Sequence, residues 1–367
     1  MEVSVTKFTE IHEGTVKYNL QLAADGAPSE KFKVDYAEGE PGIGKTSAIR
    51  QAALNVANDK AFMAEIGKGL DCDASTLPVR TVIAAQYEAT DIGGLPWHNG
   101  EGMMIRLRPE MLPGAGIGVL FFDEMSKAKQ SVMNVLGQLT LERRVGEHQI
   151  APGWSIVGAG NRRQDRSGDQ EIPRFLLDRL AVYDLVSSKA DWLDYAMEHL
   201  VDPAVIWFVK SNDEWFQKFD PQSKINPTAR SWEKISDYIK SGNWTGQNLR
   251  ATVESTVGGP GGHAFYSFYS LREKLPDPES VLADPKNAPI PADHQARYAL
   301  MAALSGSVSR KTISGFNEYL KRFDVEVENG RETAVFSVQM VRAKDKTVFM
   351  TDAGMDIMER YAEDVLG

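Results

Sequence analysis

Gly39-Glu40-Pro41-Gly42-Ile43-Gly44-Lys45-Thr46 fits the pattern G-x-x-x-x-G-K-[ST]. Glycines in such a loop let backbone N–H groups curl round a phosphate, and the helix that follows turns its positive end toward the same charge. In that geometry Lys45 reaches the β- and γ-phosphates of ATP, and the Thr46 hydroxyl takes one position on Mg²⁺. Gly39 through Thr46, with Ser47 behind it, is therefore the candidate nucleotide-binding stretch. A glycine-rich turn without a ligand is the alternative. The loop, however, falls between a candidate strand, Phe32–Tyr36, and a candidate helix, Thr46–Ile66, which is the setting a phosphate loop needs.

Outward from the loop, residues 31–188 alternate short apolar or β-branched runs with stretches of helical spacing, the pattern of a parallel sheet with crossover helices. Further strands are expected at Thr81–Ala85, Val119–Phe122, Trp154–Ala159 and Ala181–Val186, with helices at Lys129–Glu142 and Arg174–Leu177. Asp35 is a poor residue for a buried strand. Hairpin-like inserts are expected at Gly93–Arg108 and Arg143–Pro152. Beyond Ser188 the spacing turns helical, with helices at Asp191–Leu200, Pro203–Ser211, Ala229–Ser241 and Asn248–Leu271, the last broken by the glycines and proline at 258–262. Glu273–Asp293 carries five of the 17 prolines and reads as a linker or strap. Helices at His294–Leu304 and Arg310–Arg322, a mixed segment and a helix near Gly354–Val365 complete the chain.

The second chemical signal is Gly118-Val119-Leu120-Phe121-Phe122-Asp123-Glu124, an apolar strand that ends in two acids. Asp123 is placed to hold Mg²⁺ through water, and Glu124 to polarise the attacking water. The alternative is that both acids cap the next helix.

Composition bounds the partners. The 367 residues carry 41 Lys and Arg against 51 Asp and Glu, a formal charge of −10, which disfavours non-specific nucleic-acid binding. With 42% hydrophobic and 25% charged residues the chain is globular, and its apolar runs are too short to span a bilayer. One cysteine, Cys72, and six histidines without ligand spacing offer no structural metal site, and no secretory signal opens the chain. A cytoplasmic setting is expected.

Five motifs in order then resemble one family: Ala89-Thr90-Asp91-Ile92-Gly93-Gly94, Arg106-Leu107-Arg108-Pro109, Leu120-Phe121-Phe122-Asp123-Glu124, Gly158-Ala159-Gly160-Asn161, and Ile172–Leu180. Together they resemble the MoxR-type AAA+ ATPases across about residues 31–188, and the tail resembles a bacterial and phage subset often encoded beside a von Willebrand factor A domain protein. The resemblance implies an α/β AAA+ P-loop nucleoside triphosphatase. Its nucleotide domain would span residues 1–188, a helical lid 189–272, and a linker with a mainly helical C-terminal extension 273–367.

The resemblance also implies roles residue by residue. Asn161 falls on the sensor-1 position that helps place the water, Arg179 on the arginine finger given to a neighbouring subunit, and Arg230 on the sensor-2 arginine at the start of a lid helix. Arg174 is the alternative finger, and a solvated helix-face arginine the alternative for Arg230. The insert with Trp97, Met103 and Met104 resembles the family's channel-facing insert, with packing on the next subunit or on its own domain as alternatives. A hexameric ring that remodels a protein client is implied, in a bacterial cell or a phage-infected host. The chain departs from the family pattern in acids at Glu38 and Glu40 and in Met125 after the second acid. Two rivals stand beside this reading: a nucleic-acid machine with Arg143, Arg144, Arg162, Arg163 and Arg166 along a basic channel, and a nucleotide-switched adaptor with slow turnover.

Overall fold

The computed structural model describes residues 1–162, 170–217 and 223–366. The chain divides into two compact units, Met1–Ser188 and Lys189–Gly367. The first holds strands β1 (Glu2–Ser4), β2 (Asp35–Gly39), β3 (Val79–Ile83), β4 (Pro96–His98), β5 (Met104–Arg106), β6 (Gly118–Asp123), β7 (Arg144–Val145), β8 (His148–Gln149), β9 (Trp154–Gly160) and β10 (Ala181–Val186). Its helices are α1 (Val5–Ala24), α2 (Lys45–Asn58), α3 (Lys60–Leu70), α4 (Ala89–Gly93), α5 (Gln130–Glu142) and α6 (Arg174–Leu177).

Six of these strands form one parallel sheet in the order β1-β10-β2-β9-β6-β3. Period-2 alternation sends the two faces of each strand into separate cores. Val119 and Phe121 of β6 join Val157, Ala159 and the apolar stripe of α1 and α2. Leu120 and Phe122 join Ile156 and the inner face of α5. Burial on both faces is why β6 reads as a continuous apolar run. This is the parallel α/β sheet with crossover helices expected from the sequence, followed by a mainly helical remainder.

Several boundaries differ from expectation. The phosphate-loop strand starts at Asp35 rather than Phe32, because the Asn19 side chain bonds both Lys33 N–H and Lys33 C=O and takes that residue out of the ladder. Buried Asp35 is answered by His12 Nδ1 at 2.8 Å and by Lys33 Nζ at 3.5 Å. The helix expected over Thr46–Ile66 is two helices, parted at Asp59, whose carboxylate caps α3 through Phe62 N–H. The N-terminal helix α1 was not expected, since His12, Thr15 and Asn19 interrupt its buried stripe.

The second unit is helical: α7 (Lys189–Glu198), α8 (Pro203–Ser211), α9 (Ala229–Ser241), α10 (Gly246–Val257), α11 (Gly259–Leu271), α12 (Pro278–Ala283), α13 (His294–Ser307), α14 (Ile313–Glu326), α15 (Gly330–Lys344), α16 (Asp352–Arg360) and α17 (Ala362–Leu366). One apolar cluster, from Trp192 to Tyr361, runs through all of it except the surface turns. The break between α10 and α11 is Gly258, at φ 88°, where a Cβ would stand 2.9 Å from the Ile225 carbonyl oxygen. The expected strap contains helix α12, and the segment read as mixed is the fifteen-residue α15.

Candidate active site

The carboxyl ends of β2, β9 and β6 lie side by side, and each delivers one part of the site. After Gly39 the chain turns through Gly42 (φ 80°) and Gly44 (φ 111°), left-handed conformations that side chains avoid, and α2 begins at Lys45. Lys45 is only 8% exposed. Its Nζ donates to Gly39 O at 2.7 Å, Glu40 O at 2.9 Å and Asn161 Oδ1 at 2.8 Å. The phosphate-loop lysine and the candidate sensor are thus joined directly, although 116 residues separate them.

Thr46 Oγ1 donates to Asp123 Oδ2 at 3.2 Å, which brings the two candidate metal-holding residues together. Two hard oxygen donors with few other protein ligands nearby fit Mg²⁺, which keeps several of its waters. Asp123 Oδ1 accepts from Glu124 N–H at 2.9 Å. Glu124 itself is in the left-handed region, φ 53°, and its side chain, 43% exposed, meets Lys127 Nζ at 3.4 Å. A non-glycine residue held there at the end of a buried strand projects its carboxylate off the strand's line.

Contributions to which the sequence reading gave no role come from Ser126, Val5, Met125 and the glycines of β9. Ser126 Oγ accepts from Asn161 N–H at 3.0 Å, and Ser126 O accepts from Gln170 N–H at 2.7 Å, tying the end of β9 to the turn after β6. Gly158 and Gly160 are required by close approach: a Cβ would come within 2.3 Å of Met125 Sδ at the first and 2.1 Å of the Tyr36 hydroxyl at the second. Met125, a departure from the family pattern, is a buried side chain filling the space over Gly158. Val5, at the start of α1, stands with Cγ1 3.5 Å from a Cβ built at Gly44, so α1 begins against the phosphate loop. Ser126 and Val5 stand in no motif, and Gly158 and Gly160, which belong to the Gly158–Asn161 motif, owe their glycine to contacts between distant segments that the motif alone does not show.

Arg179 is elsewhere. The β10 register pairs Ala181 with Asp35 and Leu185 with Gly39, so Arg179 lies beyond the sheet end opposite the phosphate loop. Four residues of strand alone separate the two ends by about 13 Å. Arg179 Nη1 donates to Gly137 O at 2.5 Å, and its guanidinium lies 5.8 Å from the Phe175 ring. Arg174 is exposed at the first position of α6. In the second unit Arg230 is exposed at the second position of α9, behind the Thr228 and Ser231 capping box.

The arginines of the proposed basic channel are not alike. Arg143 is buried, donates to Pro152 O at 3.0 Å and Trp154 O at 2.5 Å, and stacks over Phe32. Burial pulls its guanidinium down to about 10. Arg144 pairs with Glu142 at 2.9 Å, and Arg162 Nε with Asp184 at 2.6 Å. Arg163 and Arg166 lie outside the described residues. On the insert, Trp97, Met103 and Met104 are 56%, 57% and 71% exposed, so more than half of each is left uncovered by their own domain.

No family model matches the chain, and no curated protein does. Among solved structures, a RuvB mutant from Thermotoga maritima is similar to it at 16% identity over 84% of this chain and 88% of that one, with a TM-score of 0.35. A TM-score that low transfers nothing to this chain. Among the described residues no helix is long and apolar enough to cross a membrane.

Proposed function

We propose that the chain is a Mg²⁺-dependent ATPase of the MoxR-type AAA+ class that works as a ring and remodels a protein partner. The observation that carries the reading is the pair of hydrogen bonds joining Lys45 to Asn161 and Thr46 to Asp123. They bring a phosphate-binding cation, a metal-holding oxygen pair and a polar strand end to one edge of one sheet, with Glu124 beside them.

In this mechanism Lys45 sets its positive charge against the β- and γ-phosphates. Thr46 and Asp123 would hold Mg²⁺, which when bound neutralises developing phosphate charge. Glu124 orients a water and takes its proton, and Asn161 holds that water or the γ-phosphate in line. Arg179, kept from its own phosphate loop by the length of β2, is available to the site of a second subunit, where a guanidinium of this kind is worth about 10³–10⁵ in rate. Arg230 belongs to the lid formed by residues 189–272 in this reading and reports the state of the γ-phosphate. The exposed Trp97, Met103 and Met104 suit adaptable contact with a protein client, of which a von Willebrand factor A domain protein is one candidate. The nucleic-acid alternative gains nothing from Arg143, which is buried among carbonyls.

Glu124→Gln tests the reading. The variant keeps the shape of the site but loses the base, so it should bind ATP as the parent does and hydrolyse it about 10²–10⁴ times more slowly. Parent-like turnover would move the base elsewhere.

A further inference from the structure

Glu124, at φ 53°, sends the chain from β6 into a short turn over Met125–Lys127, in which Lys127 N–H donates to Glu124 O at 3.0 Å. Ser126 sits inside that turn and is 1% exposed. Its Oγ accepts from Asn161 N–H at 3.0 Å, and its carbonyl accepts from Gln170 N–H at 2.7 Å. The chain therefore leaves β9 and comes back on the same residue. The ladder between β6 and β9 stops at Phe122 and Gly158, so on that side Asn161 N–H meets the Ser126 hydroxyl where a longer strand would supply a carbonyl. The fit is close, since a Cβ at Gly160 would stand 2.6 Å from Ser126 Oγ. On the other side Arg162 Nη2 reaches past β2 to Leu185 O of β10 at 2.9 Å. Asn161 is thus fastened from both flanks.

We propose that Ser126 is the positioning residue of Asn161: its hydroxyl fixes where Asn161 meets Lys45, and through that contact the site tells a nucleoside triphosphate from a diphosphate. The inference rests on the ATPase reading and adds to it the residue that makes the third phosphate count. Asn161 Oδ1 accepts from Lys45 Nζ at 2.8 Å. An amide that accepts through its oxygen presents its nitrogen, which only donates, on the other side. In the ATPase reading the loop N–H groups hold the phosphates that ATP and ADP share, whereas Asn161 serves the γ-phosphate or its water. An Asn161 out of place therefore costs ATP more than ADP. Its backbone lies beyond the last paired residues of β9, so the ladder alone does not place it; Ser126 does.

The test is calorimetry on the full chain with Mg²⁺ and either a non-hydrolysable ATP analogue or ADP, beside steady-state hydrolysis. Ser126→Ala removes the acceptor and little volume. It should bind the ATP analogue about tenfold more weakly and ADP within about twofold of the parent, and lower kcat about 10–10²-fold. In the double variant with Asn161→Ala, the serine change should add less than about twofold to the loss from Asn161→Ala alone, because it acts through that residue. Asn19→Ala controls for general loosening: it frees β9 at Ser155, the opposite end of the strand, and should leave the ratio of the two affinities unchanged. If Ser126→Ala does not fold, Ser126→Cys, whose sulfur is a weak acceptor, is measured in its place with the same expectation. Equal weakening toward both nucleotides, parent-like kcat, losses that multiply in the double variant, or the same change of ratio in Asn19→Ala would each overturn the proposal. A parent that binds neither nucleotide would instead strike the ATPase reading.

Discussion

Lys45 holds three acceptors from two separated parts of the chain, so its replacement is felt in two ways. A charge-assisted hydrogen bond contributes roughly 1.5–3 kcal/mol, and losing contact with two phosphates corresponds to about a hundredfold or more in affinity. Lys45→Ala should therefore bind ATP at least about a hundred times more weakly by calorimetry, while its melting curve shows a destabilisation of about 1–3 kcal/mol with the fold retained. Undiminished binding in a folded variant would remove the phosphate-loop assignment. Gly160 offers a test at the other side of the same bond. The Tyr36 ring is fully buried and Ser126 Oγ lies 2.6 Å from the added carbon, so neither neighbour yields easily. Gly160→Ala should cost about 1–3 kcal/mol by overpacking and should weaken nucleotide binding by displacing Asn161. A variant as stable as the parent would mean that the end of β9 is not held as tightly as these distances require.

Helix α8 shows how one carboxylate serves an element at a cost. Asp202 caps it by accepting from Ala204 N–H at 2.9 Å, but burial pushes the carboxyl above its ordinary value of 3.8 against the opposing pull of Arg272 and Lys240. A raised folded value means that the folded state holds its proton more tightly than the unfolded chain does. Stability from this group is complete below the unfolded value and is lost as pH rises through the folded one. Asp202→Asn keeps an oxygen for the cap and removes the buried charge, so it should melt higher than the parent at pH 7, with the difference closing as pH falls below about 4. A variant that melts lower at pH 7 would show that the ionised cap outweighs its burial. Elements were legible in the sequence where one signal decided them. The run Val119–Phe122 is buried on both faces, and Pro227-Thr228 fixes the start of α9. They were illegible where polar side chains do the packing. Helix α1 buries His12 and Asn19 against Asp35, Lys33 and Ser155, partners 14 to 136 residues away, so its stripe does not look apolar. The site divides in the same manner. Lys45, Thr46, Asp123 and Glu124 stand in local motifs, whereas Ser126 and Val5 matter through contacts that exist only after folding, as does the demand for glycine at 158 and 160.

At the scale of the whole molecule, the sheet places its phosphate loop and Arg179 at opposite ends, so in the proposed ring one subunit would contribute to two different sites. Each half is disabled by its own substitution: Lys45→Ala removes the phosphate contact and leaves Arg179 intact, while Arg179→Ala does the reverse. Alone, each variant builds only interfaces that lack one partner. Mixed, a fraction of interfaces pairs the intact loop of one variant with the intact arginine of the other, and at equal amounts about a quarter of them do so if subunits exchange at random. Hydrolysis by the mixture should thus exceed that of both variants and approach about a quarter of the parent rate per site. An arginine acting within its own subunit would leave every site in the mixture short of one group, and the mixture would be as inactive as its parts. Sedimentation of the same samples separates the failures. Rings that form without recovered hydrolysis would reject Arg179 as the finger and transfer the role to Arg174, which stands exposed at the head of α6. Parent protein that never assembles, with or without nucleotide, would remove the ring, because no second copy would then bring a phosphate to the end of the sheet where Arg179 lies.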